Sequence, residues 1–113
     1  MIKKVIIVII IISMHLTENT VKKQLATVLD PELGISIVDL GLIYKIEVKE
    51  NKVKILMTLT TIGCPLFSLI EKEIKNKLIE LGSKEEDIVL ELIFDPPWSI
   101  ERMSKKARAL LGL

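Results

Sequence analysis

Cys64 is the only cysteine in the chain, and it stands between Gly63 and Pro65 in the run TTIGCPL, Thr60 to Leu66. An apolar run that alternates like a strand ends just before it, and one with helical spacing begins just after it. If that helix starts at Pro65, the thiol occupies the N-cap or the position beside it, with proline in its favoured first helical place. The unpaired amides and the positive end of the helix dipole then face the sulfur and favour thiolate over thiol. Such settings bring a cysteine pKa from about 8.5 down to roughly 3.5–7.5, and a thiolate both binds soft metals and attacks electrophiles. Gly63 lets a ligand approach the backbone, and the hydroxyls of Thr60 and Thr61 can donate hydrogen bonds to the sulfur or to what it holds. The competing reading is an inert buried cysteine that behaves as a small hydrophobe.

A second group of chemically capable residues lies in DPELGISIVDLGL, where Asp30, Glu32 and Asp39 are set among branched apolar side chains. Each alone has an ordinary explanation as a helix stop, a solvated acid or a turn residue. Packed against the cysteine junction, the carboxylates would oppose ionisation of the thiol. A bound cation resolves that conflict, as does a carboxylate acting as a base or a partner-binding group. His15, the only histidine, lies in the N-terminal leader and is a weak ligand candidate. Trp98, directly after two prolines, reads as a core plug, or as a docking aromatic if exposed.

These residues need a scaffold, and 113 residues supply one domain with one core. Sixteen Lys/Arg against fifteen Asp/Glu leave a net charge of +1. No global positive field exists to gather nucleic acid or an anionic membrane. One cysteine forms no intramolecular disulfide, so a reducing, cytoplasmic compartment is the simpler expectation. Val21, Leu25, Val28 and Leu29 predict a helix from Thr17 to Leu29, capped by Thr17 or Asn19 and stopped by Pro31. Tyr44, Ile46 and Val48, then Val53, Ile55, Met57 and Leu59, alternate with polar residues around a KENK turn and predict an antiparallel hairpin. Leu66, Ile70, Ile74, Leu78 and Leu81 share one helical face, with Gly82 as its C-cap. Ile88 to Phe94 predicts a third strand, which must run parallel to the second because a helix separates them. After DPPW, with Ser99 or Ser104 as a cap, a terminal helix closes the chain. The expected architecture is α+β: two layers in the order helix, hairpin, helix, strand, helix, with a small mixed three-stranded sheet.

Residues 1–16 stand apart, with two lysines followed by an unbroken apolar run from Val5 to Ile12. The run is far short of the roughly 20 residues a membrane-spanning helix needs, and no small-residue cleavage site follows it. Three readings remain open: a misassigned start with Met14 as the true first residue, an export or membrane signal, and an additional buried strand. The first is preferred, which leaves residues 17–113 as the domain.

The blocks DPELGISIVDLGLIY, MTLTTIGCPL and FDPPWSIERMS, in that order between about Asn19 and Leu113, together resemble the metal-sulfur cluster biosynthesis family, whose domain is SufT-like or PaaD-like. The resemblance implies a small α/β domain akin to the C-terminal domain of NifU, and a role in maturing iron-sulfur proteins. It implies a site at Asp30, Glu32 and Leu33 in the acidic loop and at Thr60, Thr61 and Cys64 at the junction, the two segments singled out by chemistry. Ile62 stands where many members have proline, and the leader has no counterpart. A cluster usually takes four protein ligands, mainly thiolates, and this chain offers one. The expectation is therefore an adaptor or a transient carrier of iron or cluster that meets carrier or scaffold proteins and apo-targets. A homodimer sharing a labile cluster is a further arrangement, and no nucleic acid or membrane partner is expected. The alternatives are an accessory subunit of an oxygenase complex, as in PaaD-like members, and a thiol-dependent enzyme. The enzyme lacks its usual histidine activator unless His15 reaches the site.

Overall fold

The computed structural model describes residues 16–50, 52–60 and 67–113. Along the chain come α1 (Glu18–Leu25), β1 (Ile43–Lys49), β2 (Lys52–Met57), α2 (Phe67–Glu80), β3 (Ile88–Leu92) and α3 (Lys105–Leu110). Short 3-10 turns lead into β3 and precede α3. The predicted order and the α+β class are both present, and the leader, apart from Leu16, lies outside the described residues.

α1 begins where its first amides find oxygen acceptors. The Thr20 amide donates to the Thr17 hydroxyl at 3.2 Å and the Thr17 amide donates to the Thr20 hydroxyl at 2.8 Å, a reciprocal capping box built from two threonines. The helix stops at Leu25, four residues short of the expected end. There the Thr27 hydroxyl donates to the Gln24 carbonyl at 2.6 Å, and the chain turns out of helical geometry. The apolar spacing survives this change, since Val28 is still buried, while Leu29 swings out to pair with Ser36.

β2 is the central strand, antiparallel to β1 and parallel to β3. Val53, Ile55 and Met57 point to one face, where they are buried with Val21 and Leu25 of α1 and Ile70, Ile74 and Leu78 of α2. Gln24 ties the two helices together, its amide nitrogen donating to the Lys77 carbonyl at 3.1 Å and to the Glu80 carboxylate at 3.0 Å. The opposite face of the sheet carries exposed charges, among them the pairs Lys45–Glu47 at 3.0 Å and Lys54–Glu91 at 3.4 Å. Exposed pairs of this kind are screened by water and contribute little, so burial on the helical face holds the layers together.

The C-terminal segment clamps the loop that leads into β1. After β3, the Ile93 amide donates to the Met57 carbonyl at 2.8 Å and carries the chain past the end of β2. The Tyr44 hydroxyl donates to the Pro96 carbonyl and the Trp98 indole N–H to the Leu40 carbonyl, both at 2.7 Å. The Ser104 amide donates to the Asp39 carbonyl at 2.8 Å, and the Ser104 hydroxyl caps α3 by accepting from the Ala107 amide at 3.0 Å. Gly41 lies under this clamp with φ +75, and a Cβ there would collide with the Arg102 carbonyl.

Two glycine substitutions separate these effects. Gly41→Ala combines a left-handed backbone with overpacking and should destabilise by about 3 kcal/mol. Gly34→Ala at φ +66, where the added methyl meets nothing within 4 Å, should cost only about 1 kcal/mol. Urea unfolding midpoints read both, and equal costs would contradict the close approach at Gly41.

Candidate functional site

The acidic loop is held by its own backbone and by Asp30. The Asp30 amide donates to the Ile35 carbonyl at 2.9 Å, the Gly34 amide returns to the Asp30 carbonyl at 2.8 Å, and the Ile37 amide reaches the Val28 carbonyl at 3.0 Å. Inside this closed turn, the Asp30 carboxylate accepts from the amides of Glu32 at 2.8 Å and Leu33 at 3.0 Å. One carboxylate oxygen therefore fixes the loop tip, as an aspartate-initiated turn does. Glu32 and Leu33 stand exposed at that tip. Ser36, buried behind it, accepts the Val38 amide at its hydroxyl at 3.1 Å.

The junction is bracketed by described residues on both sides. On the strand side, the Thr58 amide donates to the Leu42 carbonyl at 2.9 Å, Leu59 is buried, and Thr60 emerges exposed at a bend. Thr58 was not singled out from sequence, and its hydroxyl is fully buried without a hydrogen-bond partner among the described residues. On the helix side, α2 is described from Phe67. Thr61, Gly63 and Cys64 lie between these limits, outside the described residues, as does His15.

A groove runs between the acidic loop and α2. Thr27, Leu29 and Pro31 form the wall on the acidic-loop side, and Leu69, Ile70 and Glu73, from the first two turns of α2, face them. The acidic loop thus lies alongside the helix into which the cysteine junction leads. Leu29, Leu33 and Leu69 are 53%, 43% and 55% exposed, so this neighbourhood shows water more apolar surface than its loop composition suggests. Leu69 escaped the sequence reading because it sits one position off the buried face of Ile70, Ile74 and Leu78.

Asp39 and Trp98 belong to a different constellation. Asp39 is half-buried and receives the Ser104 amide at its carbonyl, while Trp98 is half-buried against the core with its indole bonded to Leu40. Arg102 stacks over the Tyr44 ring, 4.2 Å from guanidinium carbon to centroid. None of these contacts joins Asp39 or Trp98 to Asp30. On the outer sheet face, the hydrogen bond and positive charge of Lys45 hold the Glu47 carboxyl below its usual range. Among the described residues, no three His, Cys, Asp or Glu side chains converge as metal ligands, and no helix is long and apolar enough to cross a membrane.

Comparison with known proteins gives this geometry a family. The pattern of the iron-sulfur cluster assembly protein family matches residues 18–90, a span that contains the acidic loop, the junction, β1, β2 and the start of β3. The Fe-S protein maturation auxiliary factor YitW of Bacillus subtilis (strain 168) is 40% identical over 99 residues, which is 87% of this chain and 95% of that protein. The Fe-S protein maturation auxiliary factor SufT of Staphylococcus aureus (strain USA300) is 41% identical over 87 residues, 76% of this chain and 98% of that one. A crystal structure of a domain of unknown function from Bacillus anthracis superposes with a TM-score of 0.77 at 40% identity, covering 85% of this chain and 92% of that chain. Fold, length and sequence agree across most of the molecule, and this chain belongs to the iron-sulfur cluster assembly protein family.

Proposed function

We propose that this chain is a maturation factor for iron-sulfur proteins, acting as an adaptor or transient transfer protein in which Cys64 is the exchanging ligand. The observation that carries the reading is the near full-length similarity to Fe-S protein maturation auxiliary factors. The position of the acidic loop beside the helix that follows the thiol supports it. Iron or an iron-sulfur cluster is cargo here, not a resident cofactor: a stable cluster takes about four ligands, and the chain has one cysteine to give. A single thiolate exchanges its cargo readily, where a closed set of ligands does not.

In this reading Gly63 keeps the backbone clear for an approaching donor or acceptor, and Thr60 and Thr61 supply hydroxyl donors. Asp30 and Glu32 supply negative charge that attracts a cation or a basic partner surface, and Leu33 adds an apolar contact at the loop tip. The partners are carrier or scaffold proteins on one side and apo-targets on the other, met in the cytoplasm.

In cells, Cys64→Ala should abolish maturation of iron-sulfur enzymes while the circular dichroism spectrum and unfolding midpoint of the purified variant stay unchanged. Full target-enzyme activity in that background would reject the role assigned to the thiol. Asp30 allows a sharper separation of structure from function. Asp30→Asn keeps an oxygen for the amides of Glu32 and Leu33 and should leave stability within about 0.5 kcal/mol, whereas Asp30→Ala loses the loop bonds and costs about 1 kcal/mol. If the carboxylate charge acts in transfer, Asp30→Asn still lowers maturation, measured as target-enzyme activity. Unaltered activity would reduce Asp30 to a structural residue.

A further inference from the structure

β1 is an edge strand. It has β2 on one side and, among the described residues, no strand on the other. Lys49 and Lys52 face each other across the two-residue hairpin turn and form the closing hydrogen-bonded pair, so the alternation of an antiparallel ladder turns the N–H and C=O groups of Ile46 and Val48 away from β2. An unpaired edge with such groups is a template for another strand.

This edge does not open onto bare solvent. Helix α1 runs beside it, and the two form the walls of a groove. Val38, Ile43 and Ile46 give that groove a half-buried apolar lining. Lys22, Lys45 and Arg102 also line it against one acid, Glu18, which leaves a local excess of positive charge on a chain whose net charge is only +1. Arg102 is held in place over the Tyr44 ring at 4.2 Å, and Tyr44 is itself anchored to Pro96. The Lys45–Glu47 pair is exposed, so a carboxylate from outside displaces it at little cost.

We propose that this groove docks an extended, acidic segment of a partner protein, which adds as a strand along β1. The backbone groups of Ile46 and Val48 that face away from β2 supply the ladder, the apolar lining takes aliphatic side chains on the α1 side, Lys45 meets the carboxylates that alternate onto the outer face, and Lys22 and Arg102 add to the positive field that draws the segment in. None of the residues lining this surface lines the groove at the acidic loop, so the assignment does not depend on the chemistry of Cys64.

The test uses the full chain and two capped hexapeptides, Asp and Val alternating in one, Lys and Val alternating in the other. With the acidic peptide, amide exchange at Ile46 and Val48 should slow roughly tenfold. Binding should weaken as salt rises, and the Lys22→Gln, Arg102→Gln double variant, altered only at exposed positions, should bind about fivefold more weakly. Absence of binding, or equal binding of the lysine peptide, overturns the proposal. So does slow exchange at these amides in the free chain: loss of that protection on dilution assigns the edge to a second copy, and loss in a chain beginning at Met14 assigns it to the chain's own leader.

Discussion

The parallel pairing of β2 with β3 is the constraint from which the rest of the molecule follows. Two parallel neighbours cannot be joined by a tight turn, so the chain leaving β2 must travel back along the sheet before β3 can begin. α2 is that return path, and its fourteen residues cover the face on which Val53, Ile55 and Met57 are buried. A strand-to-helix junction at the end of the central strand is therefore unavoidable. The residues with the greatest chemical capacity, Thr60, Thr61 and Cys64, occupy this junction in the sequence, between the buried end of β2 and the start of a helix.

The same pairing decides what surrounds that junction. β3 ends level with β2, and the Ile93 amide bonds to Met57, so the segment after β3 is delivered to the loop before β1. Trp98, Pro96 and Ser104 then close on Leu40, Tyr44 and Asp39, with Gly41 beneath Arg102 because no side chain fits there. That clamp fixes one end of the long connection between α1 and β1. The other end is fixed by the turn around Asp30, which leaves Glu32 and Leu33 exposed at the loop tip.

Much of this was legible in the residues. The alternation through β1 and β2, the helical face of α2 and the need for a crossover determined the mixed sheet and its order, because each depends on local periodicity and chain connectivity. The end of α1 was less legible: Val28 keeps helical spacing although it follows a turn, and the hydroxyl of Thr27 that competes for the Gln24 carbonyl looks like any other threonine in the sequence. Long-range contacts left no local trace. Nothing in Tyr44 announces Pro96 fifty-two residues later, nor does the run of α2 show that Leu69 faces the acidic loop across a groove. Asp30, Glu32 and Cys64 stood out because carboxylates amid branched apolar residues and a thiol between glycine and proline are chemically conspicuous whatever their surroundings.

The role proposed for Cys64 requires a thiol that is ionised and reachable near neutral pH. Its most direct measure is the rate of alkylation by iodoacetamide in the native full chain, followed from about pH 5 to about pH 10. An activated thiol labels fast, its rate reaching half its plateau well below about pH 8.5. Slow labelling throughout, or a midpoint at or above that of an ordinary cysteine, would contradict it.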